Sequence, residues 1–194
     1  MDVRDLHAEG IEAFAAHLAA VPGDGWGWPT PCVEWDVRAL VNHVVGENRW
    51  LPPLLEGATV ADVGDALDGD LLGADPHTAW DGSARAALDA VRVVDLDRIV
   101  HLSFADVPAS EYLWQLTADL LVHAWDLAHA TGQAESIPAD VVAPVADWFD
   151  SAEDLYRGAG VIGPAVEVDS RDPFAVLLGR FGRDPSLPRP TAQG

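Results

Sequence analysis

Apolar residues recur at three- and four-residue intervals through five long stretches of the chain. Leu6, Ile11, Phe14, Leu18 and Val21 mark an amphipathic helix over residues 3–21. Residues 22–32 then crowd glycine, proline and tryptophan together, and no helix continues through them. A second helix is expected to start at Asp36, a residue suited to cap it. It carries Val37, Leu40, Val41, Val44 and Val45 toward Trp50, and Pro52 and Pro53 predict a kink or an end there. Residues 57–75, rich in Gly and Asp, read as an acidic loop. A third helix is predicted over residues 76–94, with Pro76 in its first turn. Residues 99–107 alternate weakly and read as a strand-like or irregular link. The fourth helix, residues 110–131, has the strongest pattern, and Gly132 stands where a terminating glycine belongs. A fifth follows over residues 139–157. Residues 162–168 read as one short strand and residues 172–180 as a last short helix, with the chain frayed beyond Gly182.

Long helical patterns with few strand signals predict an all-α fold, a four-helix bundle with an extra helix packed outside. Residues 1–160 form the bundle in this reading, and residues 161–194 a short C-terminal α/β extension packed on it. At 194 residues the chain can bury a sizeable core without a disulfide or metal staple.

Charge narrows the partners. There are 32 acidic and 11 basic residues, a formal net charge of −21, and every basic residue is Arg. Such a surface repels phosphate backbones and anionic lipid, so nucleic acid and membranes are poor partners. No apolar run reaches the length of a transmembrane helix, and residues 1–5 do not open a secretory signal. The lone Cys32 excludes an internal disulfide and agrees with a reducing cytoplasm. What remains is a protein that takes a small-molecule partner, as a monomer or homodimer.

The fourth helix holds the informative chemistry. Asp119 and His123 are four apart, so they lie one turn above each other on one face. A carboxylate and an imidazole so placed can share one divalent cation, and Zn²⁺ accepts both donor types. The metal would offset the cost of a carboxylate within an apolar helix. The same spacing also serves a surface hydrogen bond or a core histidine. His43, mid-way along the second helix, supplies a third ligand if both helices turn these side chains inward. Three protein ligands leave a position open for water or substrate. Glu47, one turn after His43, is the candidate general base, and Asp126 would orient the His123 imidazole from behind. Arg49 is the candidate clamp for a substrate carboxylate, and Trp50 belongs to a group of tryptophans that could wall a pocket. Cys32 has no obvious base beside it in sequence, which disfavours a nucleophilic role.

Residues 30–43 (TPCVEWDVRALVNH) and 119–132 (DLLVHAWDLAHATG) resemble the paired signatures of the DinB/YfiT-like superfamily. They are most similar to its actinobacterial branch of mycothiol-dependent maleylpyruvate isomerase-like proteins, as is the stretch GRFGRDP at 179–185. The resemblance implies a DinB-like four-helix bundle holding a divalent metal, usually zinc or nickel, between His, an acidic residue and His. Those roles fall on His43, Asp119 and His123, with Asp119 standing where the isomerase has Glu. It further implies a metal-dependent enzyme that activates a thiol or water for transfer, isomerisation or hydrolysis on a small electrophile. Mycothiol or another low-molecular-weight thiol would be the co-substrate. The alternatives are a non-catalytic metal- or small-molecule-binding protein, and a biosynthetic pocket with a vestigial metal site.

Overall fold

Aspartates start the helices. Asp2 accepts from the backbone N–H groups of Arg4 and Asp5 and opens α1 (Val3–Ala19). Asp36 accepts from Ala39 and opens α2 (Val37–Glu56); Asp75 does the same for α4 (Pro76–Val93) and Asp172 for α7 (Pro173–Arg180). Each such cap contributes about 0.5–2 kcal/mol, and the carboxylate also meets the positive end of the helix dipole. The other elements are a one-turn α3 (Val60–Val63), β1 (Ile99–His101), β2 (Asp106–Pro108), α5 (Ala109–Ala130) and α6 (Ala139–Gly158). The computed structural model describes residues 1–135 and 137–189.

Four helices close the bundle: α1 packs on α5 and α4, and α2 packs on α4 and α5. Phe14, Leu18, Val41, Val44 and Leu127 fill the space between them. The α5 helix is the axis of the molecule, with 17 of its 22 residues buried. Its outer face is covered by α6 and α7, through Trp125, Val145, Phe149 and Leu177. A third apolar cluster, with Leu51, Val91, Val100 and Leu113, fills the end of the bundle beside the antiparallel β1–β2 hairpin. Gly10 is where α1 comes closest to α5: a Cβ there would lie 3.1 Å from Leu120 Cβ.

The pattern-based expectations hold for the long helices and depart in three places. Pro52 and Pro53 do not end α2. They sit inside its last turns, and burial of Leu51, Leu54 and Leu55 carries the helix on to Gly57, whose φ of 101° stops it. The acidic loop contains α3, one turn closed by a Thr59/Asp62 capping box. Residues 162–168 form no strand, since no neighbouring strand offers a ladder. Their anchor is the Val166 N–H donating to the Gly179 carbonyl at 2.8 Å. That approach needs glycine, because a Cβ on residue 179 would lie 2.5 Å from Val168 Cγ2.

Beyond Gly182 the expectation was fraying. Residues 183–189 are instead tied down at both ends, by Arg183 on Asp126 and by Arg189 Nε donating to Glu135 Oε1 at 2.6 Å. Residues 190–194, also expected to fray, lie outside the described residues. Among the described residues no helix is long and apolar enough to cross a membrane.

Candidate metal centre and its cavity

Two packed helices deliver the donor atoms. The α2 helix presents His43 and Glu47, one turn apart, and α5 presents Asp119, His123 and Asp126. The Asp119 carboxylate lies between the two imidazoles: Oδ1 is 3.3 Å from His123 Nε2 and Oδ2 is 3.4 Å from His43 Nε2. One ligand atom from each of the three residues lies within 4.8 Å of the others. Donors held tetrahedrally at Zn²⁺ bond lengths stand roughly 3.3–3.6 Å apart. The two nitrogen, one oxygen set can close on a divalent cation by drawing its donors together, and three protein ligands leave a position open.

The support behind His123 extends to the C-terminal segment. His123 Nδ1 donates to Asp126 Oδ2 at 2.9 Å, because a carboxylate can only accept; this leaves Nε2 facing Asp119. Asp126 is fully buried. Its charge is matched by Arg183, whose Nε donates to Oδ1 at 3.1 Å and whose Nη2 donates to Oδ2 at 2.8 Å. Arg183 Nη1 donates to the Phe181 carbonyl at 3.0 Å, and Nη2 also reaches Cys32 Sγ at 3.6 Å. On the other side Trp35 lies against His43, ring centroids 4.7 Å apart, and 5.7 Å from His123. Both imidazoles are thus fixed by neighbours other than each other.

Burial and charge set the protonation states. Burial would raise the Asp119 pKa, but His123 and His43 hold it well below the usual carboxylate range. Burial would lower the His123 pKa, but Asp119 and Asp126 raise it to about 9. Burial, reinforced by Asp119, pushes Glu47 up to about 7. Burial also raises the Cys32 thiol, against the pull of Arg183.

These groups open on one cavity of about 280 Å³. Glu47, Cys32 and Gln115 line it with the three candidate ligands, and Trp35, Trp148, Phe149, Tyr156 and Phe181 form much of the rest. Glu111 fixes two of those rings, accepting from Tyr156 Oη at 2.9 Å and from Trp148 Nε1 at 3.0 Å.

The structure brings together His43, Glu47, Asp119, His123 and Asp126, and leaves Arg49 and Trp50 outside. Arg49 is six positions after His43, about 120° round the helix; its Nη2 donates to the Leu71 carbonyl at 3.0 Å. Trp50 lies on the His43 stripe but roughly 10 Å further along, packed against the end cluster of Leu51 and Leu54. Sequence reasoning missed Arg183, the aromatic walls from α6, and the place of Cys32 at the cavity. The GRFGRDP stretch was the one signal that pointed to Arg183.

Comparison with known proteins follows the same lines. The family model of the mycothiol maleylpyruvate isomerase N-terminal domain matches residues 7–128. Uncharacterized proteins from two strains of Mycobacterium tuberculosis are each 32% identical over 179 residues, spanning 90% of this chain and 87% of theirs. The crystal structure of a His-to-Ala mutant of mycothiol-dependent maleylpyruvate isomerase shares the fold. Its TM-score is 0.60 at 18% identity, over 77% of this chain and 71% of that one.

Proposed function

Since the chain belongs to the mycothiol maleylpyruvate isomerase N-terminal domain family, we propose that it is a metal-dependent enzyme that activates a low-molecular-weight thiol, or water, against a small electrophile. The observation that carries this reading is the convergence of His43, Asp119 and His123 from two helices on one point at the cavity. These three residues would hold the cation, zinc in the first place and nickel in the second. When bound, the cation polarises the group in its open position and lowers that group's pKa toward neutrality. Asp126 holds the His123 ring with Nε2 toward the site, and Arg183 keeps Asp126 ionised. Glu47, which faces the same cavity one turn from His43, would take the proton from the incoming thiol or water onto a carboxylate oxygen. The aromatic walls exclude water from the anion so formed. Mycothiol, named in the family and in the solved relative, is the thiol to test first.

The test is metal content. His123→Ala is expected to lose the metal while keeping its helical circular dichroism, and full occupancy in that variant would refute the assignment. Thermal shift separates turnover chemistry from storage: a thiol that stabilises only the metal-loaded protein favours the enzyme. A second reading draws on the two imidazoles that already lie within hydrogen-bonding reach of Asp119, at 3.4 and 3.3 Å. In it the cavity binds its ligand without a working metal, and activity that survives exhaustive chelation would favour it.

A further inference from the structure

The cavity carries information about its occupant that the metal ligands do not. Among the described residues that line it, Arg183 is the one with a permanent positive charge, and the chain contains no Lys. That guanidinium is already committed. Nε and Nη2 serve Asp126, Nη1 serves the Phe181 carbonyl, and Nη2 also faces Cys32 Sγ. A substrate carboxylate needs a free two-donor fork, and Arg183 has none to offer. Arg49, the other arginine of interest, is engaged at Leu71. Against this stand two lining carboxylates, Glu47 and Asp119, the latter facing His43 and His123, on a molecule of net charge −21.

Size and polarity point the same way. A cavity near 150 Å³ holds a benzene ring; one of about 280 Å³ holds a ring with one or two short substituents. Trp35, Trp148 and Tyr156 supply faces and edges for such a ring.

We infer that this cavity takes a ring-sized, mainly apolar molecule with at most one negative charge, and that it discriminates against dicarboxylates. The single charge, where present, would lie beside the cation, so this part rests on the metal reading proposed above. The ring preference does not.

Isothermal titration of the full chain, metal-free and Zn²⁺-loaded, tests both parts with three probes: mandelamide (neutral), mandelate (one charge) and maleate (two charges). Mandelamide is expected to bind both forms. Mandelate is expected to bind the Zn²⁺-loaded form about tenfold more tightly than maleate. Maleate within about threefold of mandelate overturns the inference. Val161, 43% exposed at the cavity, allows a gain-of-function control that does not disturb the core. Val161→Arg adds a free cation and is expected to narrow the gap between maleate and mandelate at least about threefold; an unchanged ratio overturns charge as its cause. If Zn²⁺ fails to bind while mandelamide binds, the metal reading falls and the ring preference stands. If Zn²⁺ binds and mandelamide does not, the inference falls and the metal reading stands.

Discussion

Asp126 is fully buried and ionised, and two side chains account for that, His123 in front and Arg183 behind. Asp126→Asn keeps the shape but removes the charge that orients the imidazole. Metal affinity is expected to fall about 10–100-fold, read by competition with a chromophoric chelator, with the fold intact. His7 makes the opposite case, a buried imidazole with no hydrogen-bond partner on either ring nitrogen. Burial pushes its pKa down to about 4, whereas the unfolded chain protonates it near 6.5. The unfolded state therefore takes up the proton first, and stability falls as pH drops from about 6.5 to 4. Urea unfolding at pH values of about 7.5 and 4.5 is expected to show roughly 2–3 kcal/mol of loss that His7→Leu abolishes. At this scale the sequence was legible where a helix repeat decides direction. Asp119 and His123 were readable because four-residue spacing places the pair on one face, while Arg49, six positions after His43, turns away to the Leu71 carbonyl. Arg183 was out of reach for pattern reading: its partner Asp126 is 57 positions away, and only the folded chain joins them.

Helices α1 and α5 meet through glycine. A side chain at residue 10 would press on Leu120 Cβ, an atom that cannot swing aside. Gly10→Val is expected to cost about 1–3 kcal/mol in chemical denaturation, with a matching loss of metal affinity if the α5 helix shifts under His123. The long helices were legible from apolar spacing, with Asp36 marking the start of α2. Gly132 with its φ of 71° ends α5 as its position foretold. Elements that depend on a partner were not. Residues 162–168 have strand-like composition, but a strand exists only against another strand, and here Gly179 of a helix is what they meet. Pro52 and Pro53 were read from local cost alone, while the buried leucines around them decided the outcome.

Charge acts on the molecule as a whole. With −21 formal units and no Lys, mutual repulsion of surface carboxylates opposes the compact state. Raising NaCl from low concentration to about 0.5 M is expected to raise Tm by roughly 2–5 °C in calorimetry, through screening alone; a fall in Tm would mean that surface ion pairs outweigh the repulsion. The same field concentrates divalent cations near the surface, which leaves selection among them to the ligands and to what holds the ligands still. That places weight on when the holding group arrives. The ribosome makes Arg183 57 residues after Asp126, a delay of roughly 3–11 s at ordinary synthesis rates. In that interval the nascent chain already carries both imidazoles and Asp119, but His123 is not yet braced from behind. A cation captured early would sit in a slack, exchangeable nest, and the choice of metal would be made only when the trailing segment docks.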